Sequence, residues 1–152
     1  MKKRNRILAI LIVVIFSSCE KDESLVQEFS LNSSSFSDCK NEKGATFYSN
    51  ESVKYRYEKG DLLYFLHQNV AFNCCQSENN LTVVASLVGD SIIINEFEKE
   101  PGMCKCICPY DMECRVGPLK EKQYWIIVKN GEIESFRFPV YFDKELDGVK
   151  SL

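Results

Sequence analysis

The chain has 152 residues, with 19 basic against 22 acidic side chains and eight cysteines. That is the size of a single domain, long enough to bury a core of its own. The acidic balance leaves no basic stripe, which excludes nucleic acid as a natural partner.

The first elements read as targeting. Met1 to Arg6 (MKKRNR) is a basic head. Ile7 to Phe16 is an unbroken apolar run, too short to cross a bilayer and the right length for a signal core. Ser17 and Ser18 are small residues beside a cleavage point, and Cys19 follows directly. This is the pattern of a bacterial lipoprotein signal over residues 1–18, with Cys19 as the lipidated first residue of the mature chain. Four of the 19 basic residues fall in the signal, so the mature 134 residues set 15 basic against 22 acidic, a net charge near −7. No later apolar run is long enough for a membrane helix, so the lipid must anchor the chain.

Residues 19–45 read as a tether. Glu20-Lys21-Asp22-Glu23 resembles the acidic export tag that follows the lipidated cysteine in surface lipoproteins of the Bacteroidota. That resemblance implies an outer-membrane protein facing the exterior. Ser33-Ser34-Ser35 and scattered charges continue the linker composition, and the folded domain is expected over 46–152.

The domain is β in period. Val53, Tyr55 and Tyr57 alternate with Lys54, Arg56 and Glu58. Strands follow at 63–74, 81–88, 91–97, 104–116, 123–129 and 132–138. They are separated by Gly60-Asp61, Gly89-Asp90 and Asn130-Gly131 turn signals. Leu119 and Tyr124 are spaced like the tyrosine corner of fibronectin type III and related sandwiches. The expected fold is all-β, a seven-stranded antiparallel immunoglobulin/fibronectin III-like sandwich.

Seven cysteines remain after Cys19. In an exported chain they should be largely oxidised, and their odd number leaves at least one unpaired within the chain. The disulfide candidates are Cys74, Cys75, Cys104, Cys106, Cys108 and Cys114. Strands 63–74 and 104–116 are antiparallel neighbours in the expected sandwich, which predicts a bond from Cys74 or Cys75 to Cys104 or Cys106. The alternative is a thiolate metal site for zinc or copper built from Cys104, Cys106, Cys108 and Cys74. The Cys-x-Cys-x-Cys row lacks the spacing of a zinc knuckle, and no Cys-x-x-Cys occurs. His67, the only histidine, reads as a solvent-facing strand residue beside Asn69. Paired catalytic carboxylates, a Gly-rich phosphate loop and an HExxH motif are missing. No enzyme and no cofactor are expected. Asp90-Ser91-Ile92 looks like an acceptor for O-glycosylation at Ser91.

Leu66 to Cys75 (LHQNVAFNCC), Cys104 to Asp111 (CKCICPYD) and Leu119 to Val128 (LKEKQYWIIV) together resemble a group of small Bacteroidota lipoproteins of unknown function. These share an Asn-Cys-Cys strand end and a Cys-x-Cys-x-Cys-x-Tyr-Asp signature. The resemblance implies an exported sandwich and brings no activity with it. The leading expectation is a non-enzymatic binding or structural module. It is held to the outer membrane by lipid at Cys19, and its partner is a protein or a glycan.

Overall fold

The structure is a computed structural model, and it describes residues 28–40, 50–74, 80–100 and 105–151. Among them are nine strands and no helix. In chain order they are β1 (Ser30–Phe36), β2 (Ser52–Glu58), β3 (Leu62–Asn73), β4 (Leu81–Val88), β5 (Ser91–Glu98), β6 (Ile107–Gly117), β7 (Lys122–Asn130), β8 (Ile133–Phe142) and β9 (Asp147–Ser151). They form two sheets, ordered β1-β6-β3-β2-β9 and β4-β5-β7-β8. Inward residues of both sheets, Phe65, Val70 and Met112 on one and Ile92, Ile126 and Phe138 on the other, share one core. Strand alternation puts apolar groups on one face of each sheet and polar groups outside, so two sheets close on each other to bury both apolar faces.

Seven strands lie where the sequence pattern puts them. The seven-stranded, wholly antiparallel arrangement needs two corrections. First, β1 and β9 are added at the two edges of the larger sheet. β1 falls inside the stretch expected as tether, where three serines hide its strand character. Leu31 and Phe36 still pack on the core, and the backbone pairs with β6 from Ser30↔Gly117 to Phe36↔Met112. Second, β5 and β7 run parallel, from Ser91↔Trp125 to Glu96↔Asn130. After β5 the chain crosses to the other sheet as β6 and returns as β7, so it re-enters in its original direction.

Turn chemistry sets the hairpin registers. Gly89 takes φ 60° and Gly131 takes φ 61°, each as the first residue of a two-residue loop, the place where a primed turn needs a glycine. Asn130 itself belongs to β7, opposite Ile133. Tyr124 is buried, and its phenol oxygen accepts the Lys120 N–H at 3.1 Å. The start of β7 is thereby tied to the segment before it.

The central pair, β3 and β6, carries the main irregularity. Pairing runs Leu63↔Val116 to His67↔Met112, then resumes at Val70↔Tyr110. Gln68 and Asn69 therefore stand against Asp111 alone, a β-bulge. Asn69 adopts φ 62°, and its N–H bonds Asp111 Oδ1 at 3.1 Å. The inserted residue shifts the side-chain period by one. Leu63, Phe65 and His67 point inward before it, and Val70 and Phe72 point inward after it. His67 is therefore not on the solvent face with Asn69, as strict alternation suggested. It is 1% exposed.

The bulge makes the backbone at Asn69 the sensitive feature. Asn69→Gly should fold with a loss under about 1 kcal/mol, because glycine tolerates this φ. Asn69→Val should lose about 1–3 kcal/mol, because a β-branched residue does not. Urea denaturation of both variants reads the difference, and equal losses would show that the bulge does not constrain this position.

Candidate functional site

Three places on this scaffold carry chemistry. The first is the cysteine end of the β3–β6 pair. Cys74 follows β3 directly and Cys106 precedes β6, with the Cys74 N–H on the Cys106 carbonyl at 3.1 Å. Their sulfurs are bonded, with α-carbons 5.5 Å apart. A second bond joins Cys39, just after β1, to Cys108, with α-carbons 5.6 Å apart. Sequence separations of 32 and 69 residues make each bridge worth about 4 kcal/mol on the chain-entropy account. Cys19, Cys75 and Cys104 lie outside the described residues. Three of the four alternative thiolate ligands, Cys74, Cys106 and Cys108, are engaged in these bridges.

Cys114 stood among the disulfide candidates, and here the structure corrects the reading. It is a free thiol, buried in the core. Burial pushes its pKa far up, and the nearby carboxylates of Glu96 and Glu113 add to the shift. A thiol that does not ionise neither attacks a disulfide nor reacts with alkylating agents.

The residues around these bridges act on one another. The Tyr110 hydroxyl donates to the Asn73 carbonyl at 3.2 Å. Asp111 braces the bulge, and Lys40 bonds both Asp111 and the Asn69 side chain. Asn73, Cys74, Tyr110 and Asp111 therefore act together as a structural clamp at this end.

The second place is a buried ionic cluster. His67 Nδ1 donates to Glu96 at 2.9 and 3.0 Å, and Nε2 donates to Glu51 at 2.7 Å. Glu96 is on β5, so this contact crosses between the sheets. Glu98 of β5 does the same, accepting the Asn73 N–H at 2.6 Å. A cavity of about 390 Å³ opens beside the cluster, bordered by Glu51, His67, Glu96 and Phe136. Burial alone would lower the His67 pKa. The hydrogen bonds and charges of Glu51 and Glu96 outweigh it and push the value up to about 9. Burial raises the Glu96 carboxyl, while His67 pulls it down. As an imidazolium with both nitrogens donating, His67 has no lone pair for a proton or a metal. Its arrangement suits an electrostatic strap between sheets. Sequence reasoning missed this cluster, although one signal was present. Glu96 shares the inward period of Ile92 and Ile94 on β5, and a carboxylate on a buried face requires a partner.

The third place is the outer face of the four-stranded sheet. Val88, Ser91, Trp125 and Pro139 form one row across all four strands. Trp125 is 41% exposed, Tyr141 56% and Val88 62%, and Val84 is exposed farther along β4. Ser91, the glycosylation candidate, lies half-exposed in this row between Val88 and Trp125.

Two outcomes follow. His67 has a folded pKa near 9 against an unfolded value near 6.5, so its stabilisation is complete below pH 6.5. It is lost as pH rises through about 9, on the order of 2–3 kcal/mol. Urea unfolding at pH 6 and pH 9.5 should show that fall, and His67→Gln should flatten it. A fall of the same size in the variant would place its source elsewhere. For the cysteines, iodoacetamide applied to the native oxidised protein should leave Cys114 unmodified, and unfolding without reductant should make it reactive. Peptide mapping should recover the Cys39–Cys108 and Cys74–Cys106 links, and any peptide cross-linked through Cys114 would contradict the buried thiol.

A scan against protein-family models finds no match, and searches of curated proteins and of solved structures find none either.

Proposed function

We propose that this chain is a lipid-anchored outer-membrane lipoprotein facing the exterior, whose β-sandwich serves as a non-enzymatic binding module. The observation that carries the binding reading is the outer face of the four-stranded sheet. Large exposed apolar groups, Val88, Trp125 and Tyr141, share that face, with the two aromatics at adjoining positions of β7 and β8. Scattered apolar side chains on a surface are ordinary, but two large aromatics exposed at adjoining positions mark a contact site. The anchor rests on the sequence: a basic head, a ten-residue apolar core and Cys19 at its end. The acidic tetrapeptide after Cys19 supports the outward orientation. We further read the sandwich as a relative of the immunoglobulin/fibronectin III architecture. The buried corner at Tyr124 and the β3–β6 pairing support this, and the parallel β5–β7 contact is a departure from that pattern.

Mass spectrometry of protein from membranes of the native host should find the mature N-terminus at Cys19 with several acyl chains attached. Cys19→Ser should release the chain from the membrane fraction, because the buried methylenes, about 0.8 kcal/mol each, supply the attachment. Protease added to intact cells should cleave the parent protein. A chain that keeps Met1, or a Cys19→Ser variant that stays in the membrane, would overturn the anchor. Protection in intact cells would overturn the orientation.

A further inference from the structure

We propose that the outer face of the four-stranded sheet is a binding platform for a neutral oligosaccharide, with Trp125 and Tyr141 as its stacking groups. The proposal rests on reading the chain as a binding module and names the ligand class of that module.

Geometry comes first. Trp125 stands opposite Pro139, and Tyr141 stands opposite Gln123, two residues along the same face. Diagonal neighbours of this kind have α-carbons about 7–8 Å apart. Two rings are thus held close together on one face, with Gln123, Ser91 and Pro139 beside them and Ile127 and Arg137 along the other side of the indole. Tyr124 and Ile126, on either side of Trp125 in sequence, are buried in the core, which fixes the strand beneath the indole.

Chemistry selects the ligand. The faces of aromatic rings carry negative charge density, and the C–H groups on one side of a pyranose ring carry a weak positive polarity. Stacking of the two requires no ionic group. The polar side chains beside the rings, Gln123 and Ser91, are uncharged groups suited to hydroxyls. Charge selects in the same direction. Most ionic groups on this face have ionic partners: Lys122 pairs with Asp90 and Arg137 with Glu134, whose carboxylate also feels the charge of Lys129 two positions along β7 from Ile127. A neutral polyol can stack on the two rings without disturbing these pairs.

Area argues against a second copy of the chain. Four strands about 4.8 Å apart and three rows about 7 Å apart give a platform on the order of 300 Å². A stable protein interface needs roughly 800 Å² on each partner. The platform suits a short oligosaccharide and falls well short of a dimer.

The test uses the purified full-length protein. Trp125 is its only tryptophan, so intrinsic fluorescence reports on the platform alone. Titration with a panel of neutral hexose, pentose and N-acetylhexosamine oligosaccharides should give a saturable change with at least one member. Affinity electrophoresis in the matching polysaccharide should then show binding weakened at least tenfold by Trp125→Ala and by Tyr141→Ala, and largely retained in Trp125→Phe. Ile133→Ala, at the exposed β7–β8 hairpin, should bind like the parent. Circular dichroism should show all variants folded. No fluorescence change across the panel, or alanine variants that bind normally, would overturn the proposal. A concentration-dependent dimer abolished by Trp125→Ala would also overturn it, giving the face to a second copy while the binding-module reading stands. A glycan mass on the parent that disappears in Ser91→Ala would overturn it as well, giving the face to the chain's own sugar. A monomer that binds no sugar, with alanine variants indistinguishable from the parent, would remove both the proposal and the binding-module reading.

Discussion

The bulge at Gln68 and Asn69 is the constraint on which the rest of the molecule depends. A strand presents alternate residues to its two faces, so one inserted residue exchanges the faces of everything beyond it. Without the insertion, His67 and Phe72 would point to opposite sides of the larger sheet. With it, His67 meets Glu96 across the core, and Phe72 and Cys74 remain on the inward side. The bulge is held from outside. Asp111 accepts the Asn69 N–H, Lys40 bonds both side chains, and the Ser37 hydroxyl accepts the Asp111 N–H at 2.9 Å. Ser37 and Lys40 follow β1, so the Ser-rich first strand is part of what sets the register of the central pair.

The same end of the sandwich gathers the molecule's strongest links. Two disulfides and two contacts between β3 and β5 lie within a few residues of the bulge. The His67–Glu96 pair is costly in isolation, because both charges leave water and each ion loses several kcal/mol of hydration. Two features offset that cost. Glu96 receives contacts on both carboxylate oxygens, and the second ring nitrogen reaches Glu51 at the surface. A half-exposed Glu51 keeps the cluster in contact with solvent. Replacing one member leaves a buried charge without its partner, so the pair specifies which residues of the two sheets face each other more than it adds to stability. The bridges act differently, by restricting the unfolded chain.

Legibility in the sequence followed periodicity. The seven strands from β2 to β8 were readable because their apolar residues alternate and glycine turns punctuate them. Val53 and Tyr55, Ile92 and Ile94, and the flanks of Gly89 and Gly131 are examples. β1 and β9 were not readable: Ser33 to Ser35 and Asp147 to Ser151 carry almost no apolar alternation and gain their strand form from pairing with a neighbour already in place. The position of His67 could not be read from period two, because the bulge interrupts that period and its only local mark is an asparagine able to take φ above zero. The Cys39–Cys108 bridge was hidden for the same reason as β1. Cys39 falls in a stretch whose composition looks like linker. The exposed platform was visible only in pieces, since Trp125 and Tyr141 come from different strands and Val88 from a third.

The two sheets treat their outward faces differently, and that contrast gives the platform its meaning. On the larger sheet, Tyr64 lies beneath Arg56, 3.8 Å from ring centroid to guanidinium carbon, with Arg115 at 5.1 Å. Arg115 in turn bonds Glu58 at 2.7 Å and Glu113 at 2.6 Å. The aromatic ring there is covered by long charged side chains whose stems shield it from water. The same residue types exist on the smaller sheet, but Lys122 and Arg137 are engaged with Asp90 and Glu134, and Trp125 and Tyr141 stay exposed. Covering Tyr64 costs side-chain freedom and yields a modest gain, and nothing in the backbone prevents the same arrangement over Trp125. The aromatic surface left open on the smaller sheet is the observation on which the proposed ligand rests.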